Sequence, residues 1–578
     1  MNRVVLSLVF LNSMLSASAE VVGRCSTMSV GEVRVECAHP GGWRFALVSN
    51  KRGFGLEEVR LKAETDFESV PPPFVVRFSI PKGCLQHVWN PFDERFPCCW
   101  TEQDSSFCVG IPLRVNFDDD ETNVLTVAVS DALNAIRFRT DVVMANDNAH
   151  RMDLSASFFN EANPPRKKYE TTFRFDTRRQ FWSQAAEDGV KWITAISGKP
   201  PQVPPPAAYE PLYSSWYVFR KTVTSAMLEP ELERAAALGM KTVILDDGWE
   251  AERGGWTVDE SKFPDLKAHV AKAHDLGLKY MLWFAVPHLW ESSPAYAQFK
   301  DKCLSEDIWH DHILDPRYPD VRSHLIRRLI ELARNYDLDG FKLDFIDQFV
   351  APSDDPAAKR GFAGCDYRSV PEAAERLLGD IHAGLLALRP DMLVEFRQQY
   401  VGPVVRQYGS MLRANDCPGD YEANRYRTLA LRVTSPGSAV HSDMLLWCND
   451  DPPSEVMRQI WNVIFSVVQY SACLKDLPKA HLDVIRTAIR FAEDHRETLL
   501  FGKLKPHRPD GGYPCVEAES EKERIIVVYS PEYVVKVAAD GKNTLLINAT
   551  RAGSLMVESP EGPVRVAIES GSYKEIGR

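Results

Sequence analysis

Lys342 and Asp344 sit one residue apart in YDLDGFKLDFIDQF (Tyr336–Phe349), a stretch otherwise apolar enough for a buried strand. At a period of two, Phe341, Leu343 and Phe345 share one face, and Lys342 and Asp344 share the other. A lysine near an aspartate keeps that carboxylate ionised, which a carboxylate nucleophile requires. The same pair also reads as a structural ion pair. Asp416, in LRANDCPGDYEANR, closes another apolar stretch and precedes a loop and a helix. Taken alone it is an N-cap or turn aspartate. Taken with Asp344 it becomes a candidate acid/base. Two carboxyl groups roughly 5–5.5 Å apart, one a nucleophile and one alternately acid and base, are what double displacement at a glycosidic carbon needs.

Other polar residues close apolar stretches in the same way: Asp246-Asp247-Gly248-Trp249, Trp283, Glu395 with Arg397, and His441 with Asp443. Trp216, Trp249, Trp256 and Trp283 offer aromatic faces that could stack on a pyranose or pack in a core. For Trp256, in GGWTVD, both readings stand. His310 and His312 have HxH spacing in DIWHDHILDP, so an extended segment would point both the same way toward a shared metal. That segment falls in connecting sequence, and a polar loop is the preferred reading. No metal and no organic cofactor is expected.

The elements that must carry these residues follow from the rhythm of the chain. From about Leu212 strands and helices alternate. The strand candidates are LYSSWY, KTVILDD, KYMLWFAV, DGFKLDFI, DMLVEFR, SMLRAND, SAVHSDM and YSACLKDL, with AMLEPELERAAALGM and DLKAHVAKAHDLGL as the first helices. Eight short strands over about 280 residues match a (β/α)8 barrel, an α/β fold with its chemistry at the C-terminal strand ends. A doubly wound sheet is the alternative, but no glycine-rich phosphate fingerprint follows any strand. Aspartates end the second, fourth and sixth strands, and parity turns Lys342 and Asp344 toward the barrel axis.

The flanks differ. Residues 20–200 contain GEVRVECAH, FVVRFSIP, NVLTVAVS and KYETTFRFDT, which alternate at period two and predict an N-terminal β-sandwich. GKPPQVPPPAAYEP, with Pro200, Pro201, Pro204, Pro205 and Pro206, is a stiff linker. The catalytic barrel is expected over 209–497 and a small C-terminal β-sandwich over 500–578, where RIIVVYS, YVVKVA, NTLLINA and GPVRVAI recur. Asn548-Ala549-Thr550 is a glycosylation sequon of the kind chance supplies.

The 578 residues suit two or three domains, and 44% hydrophobic with 26% charged residues is ordinary globular composition. A net charge of -12 argues against a nucleic-acid partner. MNRVVLSLVFLNSMLSASAE has a basic start, a short apolar run and Ala17-Ser18-Ala19, so residues 1–19 read as a signal peptide and the protein as secreted or periplasmic. No later stretch is apolar enough to span a bilayer. Of twelve cysteines, Cys25, Cys37, Cys84, Cys98, Cys99 and Cys108 crowd the start, which suits one or more disulfides of unreadable pairing. Cys98-Cys99 lacks zinc-site spacing.

In order, ILDDGWE, GWTVDESKFPDLKAHVAKAHDLGLKYMLWF, DGFKLDF and RANDC resemble glycoside hydrolase family 36 and its clan D relatives, which include α-galactosidases and raffinose synthases. The resemblance covers about Tyr209 to His495. It implies a retaining mechanism on oligosaccharide or polysaccharide α-glycosides, with Asp344 as nucleophile, Asp416 as acid/base and Lys342 contacting the sugar. It also implies that Asp246 and Asp247 hold the hydroxyls at positions 4 and 6, and that Trp283 is the third-strand tryptophan. Two departures border the sugar site: VEFRQQYVGP replaces a cysteine and glycine-rich run, and Ala285 replaces an acidic residue. Asn415 replaces a serine, and Asp420 falls one residue later than the family's second aspartate. Arg397 or Gln398 is expected to replace contacts to the 2-position. Hydrolysis of terminal α-galactosides is the leading expectation. Alternatives are another sugar (an N-acetylgalactosaminide or glucoside), transfer to a sugar acceptor, and a non-catalytic carbohydrate-binding protein.

Overall fold

The computed structural model describes residues 25–31, 33–39, 41–81, 87–91, 101–144, 150–161, 163–397, 402–559 and 561–576. The signal-peptide segment, Cys84, Cys98, Cys99 and Gln398 lie outside them. At its centre is a ring of eight parallel strands. They are β1 (Leu212–Ser214), β2 (Thr242–Leu245), β3 (Lys279–Ala285), β4 (Gly340–Asp344), β5 (Leu393–Arg397), β6 (Met411–Arg413), β7 (Ala439–His441) and β8 (Gln469–Tyr470). β8 pairs with β1, and single parallel bridges, His441–Val467 and Leu445–Tyr470, bring β7 round toward β8. The helices are α1 (Ser225–Leu238), α2 (Leu266–Asp275), α3 (Pro319–Tyr336), α4 (Val370–Leu388), α5 (Pro403–Arg406), α6 (Tyr421–Thr434), α7 (Pro453–Val463) and α8 (Lys479–Asp494). Thr224, Asp265, Ser369 and Asp420 cap α1, α2, α4 and α6, each accepting a first-turn backbone N–H. Asp420 is thus a helix cap.

Side-chain parity builds the site. At the base of the barrel Leu212, Ile244, Met281, Leu393, Met411 and Ala439 form one apolar layer. Two residues further along each strand the same face carries Ser214, Asp246, Trp283, Glu395, Arg413 and His441, all buried. On β4 the base position is Gly340, where a Cβ would come within 2.3 Å of the Leu393 carbonyl oxygen. Lys342 and then Asp344 follow on that face. Phe345 does not continue the alternation: its φ of 61° turns the chain out of the strand, and its ring lines the cleft rather than the helix layer.

The N-terminal part is a sandwich of two six-stranded sheets. They share a core that includes Val35, Val76, Phe78, Phe138 and Leu154 from one sheet and Leu61, Val127, Phe173 and Phe175 from the other. Inside the segment expected to be β-rich lies one helix, Trp182–Ser197. It buries Trp182, Ala185, Ala186, Val190 and Ile193 along one stripe and ends at Gly198 in the left-handed region. Its period-3.6 pattern is short and is followed directly by the prolines. Trp182 Nε1 also donates to the Pro506 carbonyl, tying this helix to the C-terminal part. There, a five-stranded and a three-stranded sheet pack together. Asn548 is buried and donates to the Ala552 and Ile568 carbonyls, so the sequon is closed to glycosylation. Cys108 is a buried thiol without a disulfide, and burial pushes its pKa up. No helix among the described residues is long and apolar enough to cross a membrane.

Candidate active site

At the C-terminal end of the barrel opens a cleft of about 1040 Å³. Its walls include Asp344, Asp416, Asp246, Asp247, Lys342, Trp283, Arg397 and Trp216, all of them candidates from the sequence. Trp249 and Trp256 are different. Both are fully buried, Trp249 donating to the Trp283 carbonyl and Trp256 stacked on Phe284 at 3.9 Å, so they are core.

Asp344 ends β4 and is ringed by donors. Its Oδ2 accepts from Trp283 Nε1 at 3.0 Å, and its Oδ1 accepts from the Phe345 N–H at 2.8 Å and from Arg397 Nε at 2.7 Å. Burial would raise its pKa, but Arg397, Lys342 and these hydrogen bonds outweigh that and hold it well below the usual carboxylate range. The direct cationic partner is therefore Arg397. Lys342 instead donates to Asp246 Oδ2 at 2.7 Å and acts on Asp344 only through its field. The reason is geometric: Lys342 lies one layer below Asp344, level with Asp246 across the barrel.

Asp246 also accepts from the Asp247 N–H, and burial raises its pKa against the pull of Lys342. Asp247 offers Oδ2 to Arg253 at 3.0 Å and to Lys221 at 3.4 Å. Its Oδ1 is buried with no partner among the described residues. A buried acceptor in that state costs free energy unless something donates to it, and the adjacent Glu250 carboxyl, whose pKa burial and Asp247 push up to about 7, can donate to Asp247 when protonated.

Asp416 follows β6, two strands round the barrel from Asp344, and Arg413 donates to its Oδ1 at 2.7 Å. Its side chain remains 47% exposed, in a crowded cleft rather than a sealed core. Desolvation raises its pKa, yet Arg413, Lys342 and Arg397 bring it below the ordinary value. Arg413 is fully buried and also pairs with Asp443, which in turn accepts from Tyr217 Oη and from the Cys417 N–H. His441 is structural: its Nε2 bonds the Ala208 carbonyl, and burial pushes its pKa down to about 4.

The residues missed from the sequence come mostly from loops. Arg253 donates to Asp247 and Asp311 and stacks over Trp283 and Trp290, but nothing in EAERGGWT marks it. Arg413 did carry a signal, since it shares the inward parity of its strand. The region read as a connection between β3 and β4 holds a three-stranded sheet (His288–Leu289, Cys303–Glu306, His312–Leu314) that brings Trp290 and Trp309 to the cleft. His310 pairs with Glu306, and His312 packs on Tyr296. Among the described residues the cluster with metal-ligand types is His288, Asp307 and Asp311. The Arg253 guanidinium already bonds both His288 and Asp311, so a cation stands there in covalent form.

Residues 212–359 match the melibiase family model. The match runs from β1 through β4 and so includes Asp246, Asp247, Trp283, Lys342 and Asp344. Among relatives, α-galactosidase 2 of Pediococcus pentosaceus is 30% identical over 164 residues, 26% of this chain and 23% of that protein. α-Galactosidase Mel36A of Lactobacillus acidophilus is 26% identical over 205 residues, 32% of this chain and 26% of that protein. The chain thus spans about a quarter of the length of the curated relatives it matches. In fold the likeness is wider. The family 36 α-galactosidase AgaA of Geobacillus stearothermophilus superposes with a TM-score of 0.63 at 13% identity, covering 96% of this chain and 87% of that one. The chain is therefore similar to family 36 enzymes in sequence over the first half of the barrel, and in architecture over nearly its whole length.

Proposed function

We propose that this protein is a retaining O-glycoside hydrolase acting on terminal α-galactosides. The observation that carries the reading is Asp344, a carboxylate at the end of β4 ringed by donors that favour its ionised form, in a cleft that is also lined by a second carboxylate, Asp416, two strands further round. Asp344 attacks the anomeric carbon and forms a β-glycosyl ester. The glycosidic C–O bond breaks as Asp416 gives its proton to the leaving oxygen. Asp416, now a carboxylate, takes a proton from water. The resulting hydroxyl bonds to the anomeric carbon, and the ester C–O bond breaks to return Asp344. Asp246 and Asp247, which line the cleft, accept from sugar hydroxyls, and Lys342 holds Asp246 in place. The match to melibiase and the names of the relatives support galactose as the sugar. Solved complexes of AgaA variants hold raffinose and stachyose, which supports oligosaccharides as the substrate class.

A second reading concerns the sugar's 2-position. Arg397, which bonds Asp344, lines the cleft, and an A type blood α-D-galactosamine galactosaminidase of Flavonifractor plautii is 28% identical over 85 residues. A galactoside carrying a 2-amino or 2-acetamido group is therefore the alternative substrate. Secretion, with cleavage after Ala19, is part of the proposal and is tested by mass spectrometry of the mature N-terminus, expected at Glu20.

The deciding experiment screens aryl α-glycosides of different sugars and follows the first-formed product by proton NMR. Turnover of the α-galactoside with the α-anomer appearing first is expected. A β-first product would overturn the assignment of Asp344 as nucleophile, and turnover restricted to the 2-amino or 2-acetamido sugar would favour the second reading.

A further inference from the structure

The turn that leaves β2, Asp246-Asp247-Gly248-Trp249-Glu250, places a further carboxyl behind one that lines the cleft. Asp247 forms part of the cleft wall, while the Glu250 side chain is only 2% exposed and stands in hydrogen-bonding contact with it. The backbone fixes the pair. Gly248, at φ 118°, turns the chain, its N–H donates to Glu250 Oε2 at 3.0 Å, and Glu250 bridges to Val258.

Two buried carboxylates in contact repel each other, so such a pair keeps one proton between them. Two observations give that proton to Glu250. Asp247 Oδ1 is buried and lacks a donor among the described residues, and a Glu250 hydroxyl supplies one. Arg253 bonds Asp311 at 2.9 Å and Asp247 at 3.0 Å but reaches Glu250 Oε1 only at 3.4 Å, long for a charge-assisted bond. The guanidinium thus serves Asp247 and Asp311, and Glu250 is the neutral member. Burial and the neighbouring Asp247 agree with this, pushing the Glu250 pKa up to about 7. The other charged or titratable groups around the pair are Lys221 at 3.4 Å from Asp247, Lys262 on the Gly248 carbonyl, and Asp246, which accepts from the Asp247 N–H. Beyond Arg253 stand His288 and Asp311, while Glu252 is taken by the Gly255 and Thr257 N–H groups.

We propose that Glu250 is a positioning residue that holds a proton against Asp247 Oδ1, and that the sugar site is complete only while this proton is in place. With the proton bound, Asp247 carries the single negative charge of the pair, which Arg253 and Lys221 balance. Once the proton leaves, a second buried charge repels Asp247 from its place in the cleft wall. This role rests on the galactoside reading above, in which Asp247 accepts from the sugar, and adds a proton-linked control of binding that is separate from the chemical step.

The test measures galactose binding by calorimetry on the full-length protein between about pH 6 and 8.5. The dissociation constant should rise by at least about tenfold toward the upper limit, as the proton is lost. Asp344 and Asp416, both held below the ordinary carboxylate value, do not titrate in this window. Glu250→Gln keeps a donor for Asp247 and cannot ionise, so its dissociation constant should stay within about twofold over the same range. Infrared difference spectra between the two pH limits need no ligand. They should show the loss of a neutral carboxyl band in the unsubstituted protein and no such loss in Glu250→Gln. A dissociation constant that is flat in the unsubstituted protein overturns the proposal. So does a pH dependence that persists in Glu250→Gln, as one owned by His288 would, or an infrared spectrum without the band. Absence of galactose binding by the unsubstituted protein at every pH overturns the galactoside reading and the control of binding with it, and the infrared band then decides the shared proton by itself.

Discussion

Arg413 donates to Asp416 at 2.7 Å while its other terminal nitrogen holds the buried Asp443. One guanidinium thus faces a carboxylate proposed to carry a proton in the first chemical step and one that is buried behind the cleft. Desolvation raises the pKa of Asp443, while Arg413 is among the charges that lower that of Asp416. In the resting protein Asp416 is ionised at neutral pH, whereas a general acid has to be protonated. Asp344 stays ionised throughout, so the pH profile belongs to Asp416. We expect kcat/KM on a poor leaving group to rise by about tenfold per unit as pH is lowered from 7 toward 5. Arg413→Gln removes the cation, lets the Asp416 pKa rise, and should move the basic limb to higher pH. Profiles of both proteins check this, with a thermal melt of the variant as the folding control. A variant that lost activity at every pH with no displacement of the limb would leave Arg413 a merely structural role.

Trp283 gives Asp344 its only aromatic donor among the hydrogen bonds described, to Oδ2. A hydrogen bond to an ionised group contributes about 1.5–3 kcal/mol. Trp283→Phe keeps most of the ring and loses the N–H. It should lower kcat/KM by roughly 10- to 100-fold. Trp249→Phe, by contrast, removes a donor to a backbone carbonyl in the core and should appear in the melting temperature first. Steady-state kinetics beside calorimetry separates the two.

How much of this was legible beforehand differs along the chain. Alternation alone turned Lys342 and Asp344 to the axis, because strand parity is a strong local signal that the barrel preserves. Parity could not say which cation would touch Asp344: Lys342 meets Asp246 across the barrel, and Arg397 comes from the next strand. Arg253 and Trp309 were invisible because loops carry no period, and their roles arise from contacts distant in sequence. Phe345 departed from its expected face because the strand ends at Asp344, and Phe345 itself lies in the left-handed region. Non-glycine residues in that region cost about 1–3 kcal/mol and tend to persist at functional sites.

Gly248, in the Asp-Asp-Gly-Trp motif, has φ 118°, and an added Cβ would lie 2.6 Å from Lys221 Cα. The close approach keeps Lys221 within 3.4 Å of Asp247. Gly248→Ala should cost about 1–3 kcal/mol of stability from backbone strain alone. It should also push residues 220–221 outward and raise KM, because Asp247 loses its support. Denaturant unfolding and kinetics on the same preparation test both parts. A stability loss with KM unchanged would show that Lys221 does not position Asp247.

The two carboxylates can be told apart by what azide does to their alanine variants. Asp344→Ala lacks the proposed nucleophile, and activity should drop by about 10⁴-fold or more. Azide fits the space left by the carboxylate and attacks from the same face, so it should restore turnover of an activated α-galactoside and give the β-galactosyl azide. Asp416→Ala keeps Asp344, so an activated aryl substrate, whose leaving oxygen needs little protonation, still forms the ester. Azide then replaces water in the second displacement and should give the α-galactosyl azide, with the loss far larger for a sugar leaving group than for an activated phenol. Proton NMR of the azide products reads the outcome directly. An α-azide from Asp344→Ala, or a β-azide from Asp416→Ala, would exchange the roles of the two residues. Rescue of neither, with both variants folded by circular dichroism, would remove these aspartates from the chemistry.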